Sequence, residues 1–295
     1  MAMNRRTALK VLSGAGAGAA TAALPAVARE PKTVPEDAVG MLYDTTRCIG
    51  CKTCVVACAK ANDLVPDRGS LDPGVYQAPD RLNSQTKNII KLYTDGVRRS
   101  FMKQQCMHCV DPACAAACMM GSFQKREYGI VTWKPERCIG CRYCQIACPF
   151  GIPKFEWTKS VPKMVKCEMC NHLIAQGKIP ACCEVCPRQA VIYGKRADLL
   201  AEAHRRLEEH PKRYVPKVYG EHDAGGTQVL YLSHLPFENI GLQDLGELPS
   251  SLTAENVQHT VYKGFAAPVI FYAFIGGIMW RNRRLKQGDD GEEGS

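Results

Sequence analysis

The 295-residue sequence has no phosphate-binding loop, no flavin or nicotinamide fingerprint, and no nucleophile–base pair that spacing nominates. Nothing in it therefore points to nucleotide-dependent or covalent catalysis. The glycine-rich run Gly14–Gly18 follows no strand and lies inside an N-terminal leader, so it is not a phosphate cradle. The cysteine count is odd, at 17, which argues against a closed set of disulfides. Apolar residues are too sparse between the cysteine groups for a large core over 40–195, so bound metal must cross-link that region. A net charge of +9 is spread along the chain and lies partly in the terminal segments. Alone it fits nucleic acid, anionic lipid or an acidic partner, and selects none of them.

What the sequence does have is a cysteine ladder written twice. RCIGCKTCVVAC runs from Arg47 to Cys58 and RCIGCRYCQIAC from Arg137 to Cys148. Cys48, Cys51, Cys54 and Cys58 form the first group, and Cys138, Cys141, Cys144 and Cys148 the third. Both have C-x2-C-x2-C-x3-C spacing, the bacterial ferredoxin run for a 4Fe–4S cluster. The second group is Cys106, Cys109, Cys114 and Cys118, with a longer middle gap. The fourth is Cys167, Cys170, Cys182 and Cys186, with a longer insertion and Pro187 behind it. Three cysteines on a tight loop wrap three corners of an iron–sulfur cube. The fourth is expected to start a helix and point to a neighbouring cube. Four ladders supply ligands for four cubes, but spacing alone does not say which ladder pairs with which. The alternative is zinc, for which the fourth group taken alone reads as a ribbon.

Cys182 is assigned as ligand because it repeats the three-residue gap of the other ladders, leaving Cys183 as a buried free thiol. Ile49, Val55, Ile139 and Ile146 are expected to shield the cubes. Arg47, Lys52, Arg137 and Arg142 either favour the reduced clusters electrostatically or form a solvated face. His108, Trp133 and Trp157 are read as structural, the tryptophans as core.

The two ends place the chain. Arg5 and Arg6, an Ala- and Gly-rich stretch and the small-residue site Ala26–Ala28 resemble a twin-arginine export signal over 1–28; a general secretory signal is the alternative. Twin-arginine export carries folded proteins, which suits a cofactor inserted before export. Gly264–Trp280 carries no charge and has the shortest length that spans a bilayer, about 17 residues. Basic residues follow in a tail over 281–295, which predicts a cytoplasmic tail and a periplasmic body. Between these ends lie a four-cluster domain over 40–195 and an extension over 196–263. Asp63–Asp80 reads as loop, Ile130–Trp133 and Ala190–Tyr193 as short strands, Asp198–His210 as an amphipathic helix, and Thr227–Leu232 as a strand.

The four ladders, together with Gly40–Cys51, Lys103–Cys114, Gly140–Phe150, Cys183–Pro187, Gly225–Leu230 and Glu255–Gly264, resemble the four-cluster ferredoxin-like subunits of membrane oxidoreductases. The nearest resemblance is to HybA-type subunits of uptake nickel–iron hydrogenases; beta subunits of formate dehydrogenase and of sulfoxide and polysulfide reductases form the wider family. The resemblance implies an α+β fold of two tandem two-cluster ferredoxin units with one C-terminal transmembrane helix. It implies four 4Fe–4S clusters: one held by Cys48, Cys51, Cys54 and Cys186, and one by Cys58, Cys167, Cys170 and Cys182. A third would be held by Cys106, Cys109, Cys114 and Cys148, and the last by Cys118, Cys138, Cys141 and Cys144. Met119 departs from the proline often found there. The implied role is a non-catalytic electron relay between a periplasmic nickel–iron hydrogenase and a multi-span quinone-reactive membrane subunit. The same relay in a formate dehydrogenase or a polysulfide or sulfoxide reductase, a zinc-stabilised binding module and a self-contained reductase are the competing readings.

Overall fold

The computed structural model describes residues 29–64 and 81–289, and in the last helix the side chains of only some residues. The expected export signal over 1–28, most of the loop Asp63–Asp80 and the end of the tail lie outside the described residues.

The first half of the chain runs β1 (Val39–Asp44), α1 (Thr53–Ala61), β2 (Asn88–Asp95), β3 (Arg98–Gln105), α2 (Ala113–Ala116), β4 (Phe123–Lys125), β5 (Val131–Trp133) and α3 (Tyr143–Ala147). It continues through β6 (Lys154–Phe155), β7 (Met164–Val165), α4 (Asn171–Ile174), α5 (Ala181–Glu184), β8 (Val191–Lys195), α6 (Arg196–Glu209), β9 (Val229–Leu232) and α7 (Ser250–Asp289). The strands predicted at Ile130–Trp133, Ala190–Tyr193 and Thr227–Leu232 form with trimmed or extended ends. The chain divides into two units.

In the unit Glu30–Ala254, β1 is buried along its whole length at the middle of a three-stranded sheet. β8 pairs with it antiparallel, Met41 facing Tyr193. β9 pairs parallel, Tyr43 facing Tyr231. A strand buried on both faces reads as a continuous apolar run, and Val-Gly-Met-Leu-Tyr is one. One face packs Met41, Tyr43, Val229 and Tyr231 toward the ladders, against Met102, Met169 and Cys182. The other carries Leu42, Leu230 and Leu232 against α6, whose Leu199 and Ala203 are buried. The expected helical stripe thus faces the sheet, and the extension after residue 195 builds part of that sheet rather than trailing from it. β2–β3, β4–β5 and β6–β7 are three antiparallel hairpins.

The other unit contains Arg29 and Glu255–Asp289 among the described residues, with Arg29 Nε 2.8 Å from a Glu255 carboxylate oxygen. Among the described residues no helix is long and apolar enough to cross a membrane. The expectation of a span over 264–280 is not met on that count. Its described side chains begin at Pro268, and Pro268–Trp280 falls short of the about 20 residues a span requires.

Candidate functional site

Each ladder is one turn of irregular backbone followed by a short helix. The residue before the second cysteine has positive φ in every ladder: Gly50 at 71°, His108 at 48°, Gly140 at 71° and Met169 at 54°. That left-handed step curls the loop back on itself. Glycine takes it without cost in two ladders; in the others the surroundings hold a side chain in the same strained region. A helix then begins one residue before the third cysteine, after a left-handed Lys52 or Arg142 in ladders one and three. In ladders two and four it follows Pro112 or Pro180, where proline's fixed φ and missing N–H suit a helix start.

The fourth cysteine therefore does not start a helix. Cys58 lies inside α1, Cys148 caps the end of α3, and Cys118 and Cys186 lie just past α2 and α5. The x3 gap sets the third and fourth cysteines one turn apart, with the third at the helix start.

The fold brings the ladders together in a nested way. Cys48, Cys51, Cys54 and Cys186 line one pocket with Tyr43 and Ile90. Asn62 Nδ2 lies within reach of both Cys58 and Cys170 sulfurs, and the sulfurs of Cys167, Cys182 and Cys170 are the ones that act on Cys58. Cys109 neighbours Cys148, Cys106 and Cys114. Cys144 neighbours Cys118, Cys138 and Cys141. These sets touch in sequence: Cys54 acts with Cys182, Cys167 with Cys106, and Cys114 with Cys144.

The donor set fits iron–sulfur cubes. All 17 cysteines are free thiols. Among the described residues, no three His, Cys, Asp or Glu side chains converge closely enough to hold a single metal ion. Backbone N–H groups already aim at sulfurs: Gly50 at Cys48 (3.4 Å), Ser122 at Cys118 (3.2 Å), Met169 at Cys167 (3.3 Å) and Ala190 at Cys186 (3.2 Å). Burial pushes the Cys54, Cys144 and Cys167 thiols up to about 12 and Cys148 to about 11. Thiols so disfavoured as bare anions need a cation close by to serve as ligands. Cys182 moves the other way: the Cys183 thiol hydrogen-bonds it and Lys103 lies beside it, lowering its pKa against burial.

Several expectations are corrected. Val55 is buried, but Ile49, Ile139 and Ile146 are exposed, Ile146 at 80% on α3; Ile49 still lines the pocket of Cys48, Cys51, Cys54 and Cys186. Trp157 is 66% exposed, not core; it packs edge-on to Phe155 at 5.1 Å, and the exposed Arg142 lies over its ring at 4.5 Å. Cys183 is half-buried rather than buried. Among the basic residues named from the sequence, Lys52 is buried, Arg47 lies 3.6 Å from Asp44, and Arg137 and Arg142 are exposed. His108, expected to be structural, is fully buried; its Nδ1 accepts the Val131 N–H at 3.1 Å, and its buried Nε2 has no hydrogen-bond partner among the described residues.

The sequence reading missed two residues. Lys103 and Lys166 are buried lysines, at 0% and 2% exposure. Burial opposes their charge, but the field of neighbouring cysteine sulfurs outweighs it and raises both pKa values, through Cys182, Cys54 and Cys167 for Lys103 and through Cys106, Cys114 and the Glu168 carboxylate for Lys166. The only hint is that a basic residue stands just ahead of each ladder's first cysteine: Arg47, Lys103, Arg137 and Lys166. Sequence does not say which of the four are buried.

This arrangement defines a class: an iron–sulfur electron-transfer subunit of an oxidoreductase complex. Models described as "4Fe-4S dicluster domain" match residues 40–119 and 97–196. The Hydrogenase-2 operon protein HybA of Escherichia coli O157:H7 is 36% identical, with 99% of each chain covered. The nitrate-inducible formate dehydrogenase iron–sulfur subunit of Escherichia coli K12 is 32% identical over 86% of this chain and 89% of that one. The formate dehydrogenase iron–sulfur subunit of Haemophilus influenzae is 32% identical over 81% and 77%. The chain belongs to the HybA family of 4Fe–4S subunits, and its cofactors are several 4Fe–4S clusters.

Proposed function

We propose that the chain relays electrons through four 4Fe–4S clusters between a periplasmic nickel–iron hydrogenase and a quinone-reactive membrane subunit. The observation that carries the reading is the nesting of the ladders into four four-thiol sets that touch in single file. Cys48, Cys51, Cys54 and Cys186 hold the first cube, and Cys58, Cys167, Cys170 and Cys182 the second. Cys106, Cys109, Cys114 and Cys148 hold the third, and Cys118, Cys138, Cys141 and Cys144 the fourth. Each bound cube supplies one-electron exchange. The chain's own residues fix spacing, exclude water from the inner sets and set the local field. The exposed Cys51 and Cys141 put an end of the row at the surface on each side, where a partner's centre could approach.

The HybA likeness supports the hydrogenase as partner. The likeness to formate dehydrogenase iron–sulfur subunits supports the same relay in a formate complex as the second reading. The outward apolar side chains Val269, Ile270, Phe271, Phe274 and Ile278 of α7 support a membrane anchor completed by residues before Pro268, with export through the N-terminal arginine pair.

The test is the native complex, purified without oxygen from membranes. Nickel with four reducible iron–sulfur centres assigned to this chain is the expected result. Molybdenum or tungsten without nickel moves the relay to the second reading, and zinc without iron rejects it. Deleting 264–295 should release the chain from carbonate-washed membranes; retention removes the anchor.

A further inference from the structure

Fully buried lysines are rare, because an ammonium away from water needs a compensating charge. Among the described residues Lys103 and Lys166 are the most buried, at 0% and 2% exposure, with Lys52 at 6%; neither of the first two forms a salt bridge among those residues, and Glu168, paired with Lys87, acts on Lys166 from further away. Lys103 lies on β3, where its Nζ hydrogen-bonds Gln105 Oε1 and its carbonyl accepts the Tyr231 hydroxyl at 2.7 Å. Lys166 follows β7, and its Nζ donates to the carbonyls of Val131 (2.5 Å) and Cys167 (2.9 Å). One neutral acceptor or two carbonyls do not neutralise an ammonium.

Their positions are not equivalent. The cysteine sulfurs that act most on Lys103 are those of Cys182, Cys54 and Cys167. Lys103 therefore sits where the Cys48–Cys51–Cys54–Cys186 set meets the Cys58–Cys167–Cys170–Cys182 set. Those that act on Lys166 are the sulfurs of Cys106, Cys114 and Cys167, and its Nζ donates to the Cys167 carbonyl. Lys166 sits at the next junction, between the second set and the Cys106–Cys109–Cys114–Cys148 set. At the last junction, Cys114, Cys144, Phe123 and Val131 pack together as an apolar cluster. Lys166 borders that cluster through the Val131 carbonyl and the Phe123 ring, at 5.9 Å, but the charges that act most on Cys144 are the sulfurs of its own set, Cys118, Cys138 and Cys141.

We infer that Lys103 and Lys166 are internal counter-ions shared by adjacent clusters, which raise the reduction potentials of the first three in an overlapping pattern and leave the fourth to its own surroundings. The inference rests on the four-cube reading above. A cube gains negative charge on reduction, so a nearby fixed positive charge favours the reduced form. In a water-free site that effect is only weakly screened. One lysine shared by two cubes acts on both. The second set lies beside both lysines and receives both contributions, so the row gains a potential profile that is not uniform. An electron crossing the first two junctions passes beside a buried lysine at each, whereas Cys144 of the fourth set has the sulfurs of its own set as its main charged neighbours.

The test uses the full chain in its native complex, with each paramagnetic centre assigned by a Cys→Ser change in one set at a time (Cys51, Cys170, Cys109, Cys141). Potentials are then titrated in Lys103→Met and Lys166→Met. Lys103→Met should move the first and second centres negative, by about a tenfold change in the reduction equilibrium, about 59 mV for one electron. Lys166→Met should move the second and third. The fourth should move in neither. Unchanged potentials, or an equal shift at all four, overturn the inference. Fewer than four centres in the wild-type complex would instead overturn the four-cube reading. If a methionine variant does not load its clusters, Lys→Gln and Lys→Arg at the same site are compared. A negative shift with Gln and none with Arg supports the counter-ion role, and equal shifts with both overturn it.

Discussion

Asn62 Nδ2 lies 3.9 Å from the sulfur of Cys170, a residue 108 positions further along the chain. Asn62 follows the end of α1, and the same nitrogen is 3.7 Å from the Cys58 sulfur and 2.8 Å from its carbonyl. Its Oδ1 accepts from Lys87, which also pairs with Glu168. One amide thus holds the first ladder against the fourth. N–H donors to cluster sulfur favour the reduced state, so Asn62→Leu should lower the potential of the second centre alone. Lys87 then loses one partner and keeps Glu168. Redox titration of the assigned centres checks this, and a shift confined to the fourth centre would contradict it.

Gly50 and Gly140 occupy the same place in repeated ladders with the same φ of 71°, yet their surroundings differ. A Cβ on Gly50 would lie 2.6 Å from Phe101 ring carbons, whereas on Gly140 it would meet Phe155 at an ordinary 3.6 Å. Gly140→Ala should therefore cost only the backbone strain, about 1 kcal/mol. Gly50→Ala must also displace a ring packed under the first set, and should lose part of the iron there. Iron per chain and thermal midpoint, measured side by side, separate the two. Equal losses would mean that the backbone alone decides.

Much of this site is written in the sequence. Thiol spacing gave all four ladders, because wrapping a cube is a local act of a few residues. The paired sets are long-range. Cys58 and Cys170 meet through the packing of α1 against the fourth ladder, beside a sheet in which β1 lies between β8 and β9, and no local pattern encodes that register. Ile139 and Ile146 are exposed, one on the ladder's loop and one on the outer side of α3, because apolar identity alone does not say which side of a loop or short helix meets the core. Lys103 and Lys166 were invisible for the converse reason: a lysine in a strand reads as solvated, and only packed neighbours reveal otherwise.

Arg206 on α6 is another charged residue drawn inward. Its Nη1 is 3.1 Å from the fully buried Asp44 carboxylate, which also accepts the Tyr214 hydroxyl at 2.9 Å. Arg206→Met leaves Asp44 buried beside Tyr214 with its main cation gone, and should cost about 3–5 kcal/mol. Tyr214→Phe removes one hydrogen bond to a charged group and should cost about 1.5–3 kcal/mol. Denaturant titration of loaded protein under anaerobic conditions gives both values. The ranking Arg206 above Tyr214 is the part that must hold.

Removing the metal should change how stability depends on pH. In the iron-free chain, burial holds the Cys54, Cys144 and Cys167 thiols up to about 12 and Cys148 up to about 11, against an ordinary value of 9.0. Raised thiol values mean that the folded state keeps protons which the unfolded chain gives up near 9. Their contribution to folding is therefore complete below about pH 9 and is lost as pH rises through about 12. Iron-free protein should lose stability steadily across that window. In loaded protein the same sulfurs are already thiolates on iron and have no proton to lose, so these groups add no such slope. Loading releases their protons and should become more favourable as pH rises. Urea midpoints of the two forms, taken anaerobically at about pH 8 and about pH 10.5, decide the matter. An iron-free midpoint that holds or rises between them would mean that the thiols are not buried as the fold places them.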